Sequence, residues 1–168
     1  MELGQPEHIT EDFVFFWNSP YSQWFTRANL FEDDLGYKYS SSEKYMMVKK
    51  AEYFKDFEIA AKMQATDSPR KVKALGRQVK NFNNDEWNDV KTDIVTEGNR
   101  LKFSQNPDLL EFMTLHKDKE LVEASPVDPI WGIGLHPTEE NIEDRTTWKG
   151  LNLLGKCIMQ ARKQLLQC

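Results

Sequence analysis

The chain has 168 residues, enough for one domain with a real core. Hydrophobic residues make up 39% and charged residues 29%, a soluble and globular composition, and the formal net charge of -5 disfavours non-specific binding to nucleic acid or to an anionic membrane, though not a locally basic groove. No apolar run approaches the roughly 18 residues of a spanning helix, and the polar, acidic start MELGQPEHITEDF is unlike a signal peptide.

Residues 1–12 read as a polar segment ahead of a single domain over 13–168. FVFFW from Phe13 is aromatic and β-branched enough for a buried strand. Pro20 makes NSPYSQW a turn or loop. YKYSS from Tyr37 reads as a short strand leading into the first helix. That helix starts between Ser40 and Ser42, where Ser40 and Glu43 have the S-x-x-E form of a capping box, and runs unbroken through KYMMVKKAEYFKDFEIAAKM to Met63. Ser68 and Pro69 mark the N-cap and first turn of a second helix, with Val72, Leu75 and Val79 as its apolar face. A third, longer helix fits DEWNDVKTDIVTEGNRLKF from Asp85, with Trp87, Val90, Ile94 and Leu101 inward. Asn106-Pro107 ends it and DLLEFMTL forms another short helix. ELVEAS from Glu120 reads as a strand. PVDPIWGIG is punctuated by prolines and glycines, and HPTEENIEDRTTWKG from His136 is a long polar excursion of the kind that covers sites. The last helix is LNLLGKCIMQARKQLL from Leu151, with Leu154, Ile158, Ala161 and Leu165 on one face. The class is mainly α (α+β): a compact helical domain with a few short strands.

Four groups of residues carry possible chemistry. Glu43 and Lys50 lie seven residues apart in one helix, almost two turns and about 10 Å, so both side chains lean toward a common space, with Met46, Met47 and Tyr53 on or near that face. An apolar surround would raise a carboxyl and lower an amine, suiting an acid/base and a neutral nucleophile. The plain alternative is a capping-box glutamate and a surface lysine. Arg70, Lys73, Arg77 and Lys80 recur as one basic face, either solvated or able to hold phosphates. In EASPVDPIWGIG, Trp131 between loop and glycines suits a base or ribose, with Glu123 and Asp128 for sugar hydroxyls; the alternative is a turn around a core tryptophan. GLNLLG from Gly150 opens the last helix with N–H groups that either take an anion or only make a tight start, and Asn152 is an N-cap or a ligand donor.

The only cysteines, Cys157 and Cys168, read as thiols of a reducing, cytoplasmic compartment, with an in-vitro disulfide dimer through terminal Cys168 left open. His8, His116 and His136 are scattered and no HExxH or CxxC spacing occurs, so neither a metal nor another cofactor is expected.

In order along the chain stand SSEKYMMVKKA, ALGRQVK, W-N-x-V-K-x-D-I-V, N-R-L-K-F-S-Q-N-P, LVEASPVDPIWGIG and WKGLNLLGKCIMQAR. This series resembles the NADAR family, from about Phe15 to Leu165. The resemblance implies a compact, mostly helical, metal-free domain that cleaves a ribosyl C–N bond. It implies Glu43, of an S-E-x-Y motif that includes Tyr45, and Lys50 as catalytic residues. It also implies substrate-binding roles for Tyr45, for Arg77 after Gly76, for Trp87, for Glu123, Ser125 and Asp128, for Trp131, Gly132 and Gly134 of W-G-x-G, and for Asn152 of N-x-L-G. Two departures stand out. Lys44 replaces the His or Gln of many members, and the 136–149 excursion is longer than in the riboflavin-linked bacterial enzymes.

The resemblance implies one of two substrates: a ribosylaminopyrimidine phosphate of early riboflavin synthesis, or guanine ADP-ribosylated in DNA or RNA. Both carry ribose C1 on an exocyclic amine. The leading expectation is an N-glycosidase acting on the small phosphorylated riboside. The alternatives are an ADP-ribosyl hydrolase with a nucleic-acid partner, and a non-catalytic sensor of ADP-ribose or a related nucleotide. No membrane partner is expected.

Overall fold

A computed structural model describes residues 3–167; Cys168, and with it any disulfide through that residue, lies outside the described residues. The fold is α+β and mainly helical: six α-helices and five short strands in two small sheets among the described residues. The chain divides into two compact units. Among the described residues, one is made of the segments 3–22 and 107–167, the other of the intervening 23–106.

The first unit is built on a three-stranded sheet in the order β1 (His8–Ile9), β2 (Phe13–Phe16), β5 (Glu120–Glu123). The pair β1–β2 is antiparallel and β2–β5 parallel, with Phe13 opposite Glu120 and Phe16 opposite Glu123. All four residues of β2 are buried. An unbroken apolar run is what a central strand covered on both faces needs. On one face Phe13 and Phe15 stack with centroids 5.2 Å apart, beside Val122, Ile133, Ile142 and the edge of Trp148. On the other, Phe16 meets Tyr21, which packs on Phe112 of α5 (Pro107–Leu115). Helix α6 (Leu153–Leu166) packs on β5. The segment read as a polar N-terminal tail supplies β1, and the Glu7 carboxylate accepts the N–H groups of Trp17 and Asn18. The 136–149 excursion is tied into this unit. Ile142 is buried, the Trp148 indole N–H donates to the Ile142 carbonyl, and Arg145 pairs with Glu120.

The second unit is organised around α1 (Ser42–Tyr53), which packs on α2 (Phe57–Gln64), α3 (Pro69–Gly76) and α4 (Asn84–Ser104). A hairpin of β3 (Phe31–Glu32) and β4 (Lys38–Tyr39) completes it. The single helix expected from Ser40 to Met63 is two. It ends in a Schellman motif in which the Lys55 N–H donates to the Glu52 carbonyl and the Asp56 N–H to the Ala51 carbonyl. Lys55 takes the left-handed position at φ 59°, and Asp56 then caps α2 by accepting the Ile59 N–H. The α1 cap also differs by one residue. Ser41, not Ser40, accepts the Lys44 N–H, so no Ser40–Glu43 capping box forms and the Glu43 side chain is released from that role. Ser68 and Pro69 start α3 as the sequence indicates. The helix stops at Gly76, however, so Val79 is buried from the following turn, and Arg77 and Lys80 lie past the helical face expected to carry them.

Candidate active site

Helix α1 places Glu43 in its first turn and Lys50 in its last. Glu43 is buried, and its N–H donates to the Gln23 carbonyl at 2.9 Å. The Lys50 amine donates to the Gly76 carbonyl at 3.0 Å, where α3 ends. It lies 4.6 Å from the ring centroid of Phe82 and 5.8 Å from that of Trp87, the buried aromatic in the first turn of α4. Burial among these groups pushes the amine below the usual lysine range, and the Glu43 carboxylate acts in the opposite sense. A depressed lysine has a larger neutral, nucleophilic fraction near pH 7. Met47 leans on Gly76, where an added Cβ would collide with its sulfur, and so holds α1 against the end of α3. Glu43, Lys50, Trp87 and the Gly76–Arg77 dipeptide thus belong to one neighbourhood of the second unit. The Arg77 side chain is exposed at its edge.

Tyr45 belongs to another neighbourhood. Its ring packs on Phe31, Tyr39 and Gly98, with the Lys49 amine 5.5 Å from its centroid. It lines a cavity of about 370 Å³ with Asp33, Asp34, Lys49 and Glu97. Desolvation, and then the carboxylates of Glu97, Asp33 and Glu52, push the Tyr45 phenol up to about 12. Tyr45 therefore shares none of the partners of Lys50. Lys44 is buried too, and its amine donates to the Gln64 carbonyl and to Asp67, bracing the link between α2 and α3. The basic stripe is exposed throughout, with the Lys73 amine 5.9 Å from the ring of Trp24.

The remaining candidates gather in the first unit, around the end of β5. Gly132 sits where an added Cβ would come within 2.9 Å of the Glu123 carbonyl, 3.0 Å of the Asp128 carbonyl and 3.1 Å of the Ser125 Cβ. Only glycine allows that approach. Gly134 has φ +71°, the left-handed region that glycine adopts at no steric cost. Asp128 folds its own loop, one carboxylate oxygen accepting the N–H groups of both Ile130 and Trp131 at 2.9 Å. Asn152 stands at the N-cap position of α6 with φ 52°, yet its side chain does not cap the helix. Its amide reaches β5 instead, accepting the Glu123 N–H and donating to the Leu121 carbonyl, both at 3.0 Å. The N–H groups of Asn152, Leu153 and Leu154 donate to the carbonyls of Gly132, Ile130 and Trp131. Of the two readings of GLNLLG, the tight helix start is therefore the one the backbone adopts, and these N–H groups are not offered to an anion.

Among the described residues, no group of three or more His, Cys, Asp or Glu side chains is placed to hold a metal ion, and no helix is long and apolar enough to cross a membrane. Reading the sequence overlooked Phe82 and the Gln23 backbone. NFNN around Phe82 carries no motif, and its approach to Lys50 is made by tertiary packing.

The NADAR domain model matches residues 13–166, a span that takes in segments of both units. The chain is 43% identical over 166 residues to N-glycosidase R617 of Acanthamoeba polyphaga mimivirus, covering 92% of this chain and 97% of that protein. It is 30% identical over 116 residues to the chloroplastic riboflavin biosynthesis protein PYRR of Arabidopsis thaliana, which spans 67% of this chain but only 18% of the much longer relative. The NMR structure of the E. coli protein YbiA superimposes with a TM-score of 0.70 at 25% identity, over 95% of this chain and 88% of that one. The chain belongs to the NADAR family.

Proposed function

We propose that this chain is an N-glycosidase that hydrolyses the bond between ribose C1 and an exocyclic amine, through a domain spanning 13–168. The observation that carries the reading is the Lys50 amine, depressed by burial, hydrogen-bonded to the Gly76 carbonyl, and on the same helix as buried Glu43. The name of the mimiviral relative agrees with it, as do those of other N-glycosidases similar to this chain.

The chemistry follows from the substrate. Glu43 protonates the ring oxygen of the glycosylamine as the nitrogen lone pair opens the ring, and the nitrogen then gives up its proton to leave an open-chain imine at C1. The neutral Lys50 amine adds to C1. One proton moves from the lysine nitrogen to the exocyclic nitrogen and Glu43, which took up the proton released at imine formation, supplies the second; the C1–N bond to the base breaks, and the free aromatic amine departs, leaving a protonated Schiff base on Lys50. That Schiff base takes up water, releases the sugar aldehyde, and returns one proton to Glu43, restoring the neutral Lys50 amine. The sum is one water consumed, one amine and one free sugar formed.

The substrate class is a ribosylaminopyrimidine phosphate of riboflavin biosynthesis, in keeping with the name of the plant relative. A second reading, removal of ADP-ribose from guanine in DNA or RNA, is favoured by one observation: the exposed cations Arg70, Lys73, Arg77 and Lys80, with Lys73 beside the exposed ring of Trp24. Buried Cys157 carries a thiol, which fits action in a reducing cytoplasm.

A turnover assay offering both substrates to wild type and Glu43→Ala tests the assignment. Amine release from the pyrimidine riboside alone, lost in the variant, is the expected result. Release from the oligonucleotide alone would transfer the assignment to the second reading. Release from neither would remove the enzymatic reading.

A further inference from the structure

Phe82 has no counterpart among the motif residues, and its setting is unusual for a large apolar side chain. It is 44% exposed, yet its ring is held in place from both sides. Just before it, Asn81 takes a left-handed turn at φ 60°. Just after it, Asn83 caps α4 by accepting the Glu86 N–H. The Lys80 N–H is tied to the Asp56 carboxylate at 2.9 Å, and the edge of Phe54 meets the Phe82 ring with centroids 5.3 Å apart. A ring fixed this firmly while half exposed is not explained by core packing alone. What it covers is the Lys50 amine.

We propose that Phe82 is the positioning residue of the Lys50 amine: its ring and the Gly76 carbonyl hold the two amine hydrogens and keep water off the nitrogen, leaving the lone pair for ribose C1. The geometry of a neutral amine makes this specific. Of the three directions left after Cε, one N–H is taken by the Gly76 oxygen at 3.0 Å. The nitrogen lies 4.6 Å from the centroid of the electron-rich Phe82 ring and 5.8 Å from that of Trp87, so a second N–H is within reach of the Phe82 ring face. The lone pair takes the third.

The groups acting on Lys50 are few. Glu43 is the charged one, on α1 itself. From α3 comes a backbone carbonyl, from the turn before α4 the Phe82 ring, and from α4 the Trp87 ring. Phe82 affects the amine in two opposed ways. It excludes water, which favours the neutral form, and it attracts the cation through its ring face, which favours the charged form. Burial is the larger influence at Lys50 and Glu43 opposes it; within that balance we assign Phe82 mainly to the exclusion of water.

The inference rests on the N-glycosidase reading for its purpose but not for its test. Full-length protein is labelled with carbon-13, nitrogen-15 lysine, which leaves the amine hydrogens in place, and the Lys50 Cε–Nζ resonance is assigned as the one absent from Lys50→Arg. Its titration midpoint is then followed by NMR. Phe82→Ala is expected to raise the midpoint by about one pH unit as water reaches the nitrogen. Phe82→Leu, which keeps an apolar cover without the ring face, is expected to lower it by about half a pH unit. In turnover, Phe82→Ala moves the alkaline-favoured limb of kcat upward by the same interval, whereas a merely structural loss lowers kcat at every pH. A midpoint unchanged in Phe82→Ala would overturn the proposal. Should that variant not fold, an unchanged midpoint in Phe82→Leu would do so. Undiminished turnover in Lys50→Ala would remove the reading of the reaction, and the NMR midpoints would still decide what Phe82 does to the amine.

Discussion

The two units use their polar groups differently. Around β5 in the first unit, Asn152, Asp128 and the loop carbonyls are occupied with neighbouring backbone. Asn152 holds two backbone groups of β5, Asp128 holds two of its own loop, and the carbonyls of Ile130, Trp131 and Gly132 take the first N–H groups into α6. In the second unit, the Lys50 amine makes a single backbone hydrogen bond and otherwise faces aromatic rings. One arrangement spends its polar groups on shape. The other keeps a basic group half-buried among aromatic rings, where burial lowers its basicity. A family motif does not by itself say which of these a residue does.

Substitutions separate the two modes. The largest effect on folding is expected from Asn152→Ala, which strands the Glu123 N–H and the buried Leu121 carbonyl. A loss of roughly 2–4 kcal/mol in denaturant unfolding follows from two orphaned groups; a loss below about 0.5 kcal/mol would make Asn152 a ligand donor rather than a brace.

Lys102 gives a smaller, pH-dependent effect. It is fully buried in α4, and burial pushes its amine down to about 7, with Arg27 adding to the shift. The unfolded chain keeps its lysine protonated up to roughly pH 10, so it binds more protons than the folded chain between about pH 7 and pH 10. Stability therefore rises with pH across that window, and on acidification the loss is complete by about pH 7, below which both states carry the proton. Wild type should gain up to about 1.4 kcal/mol per pH unit there relative to Lys102→Met. Parallel stability curves for the two proteins would show that Lys102 is charged in the folded state.

The smallest effect is expected from Tyr45→Phe. Its ring lies with Phe31, Tyr39 and Gly98 rather than with Lys50. Turnover should stay within about twofold of wild type. A tenfold drop would bring Tyr45 back into the site that its motif implied.

What was legible in the sequence was local. The buried strand Phe13–Phe16 shows as an unbroken apolar run, and the start of α3 as Ser68-Pro69. Glu43 and Lys50 could be paired because both sit on one helix, where spacing alone sets direction. The break between α1 and α2 was hidden because its left-handed residue is Lys55, not the glycine that usually marks such a stop. The three serines before Glu43 concealed which of them caps, and only the geometry assigns the cap to Ser41. The aromatic cover of Lys50 was out of reach for a different reason. Gly76, Phe82 and Trp87 come from separate stretches, and each lies at least 26 residues from Lys50.

The central claim, that Lys50 attacks ribose C1, is tested most directly by borohydride. Wild type incubated with the ribosylaminopyrimidine phosphate and reduced should gain the mass of the sugar phosphate on a single peptide carrying Lys50. Lys50→Ala should gain nothing and should not turn over. An adduct of equal yield in Lys50→Ala, or full turnover without it, would contradict the account and leave Glu43 to assist direct attack by water.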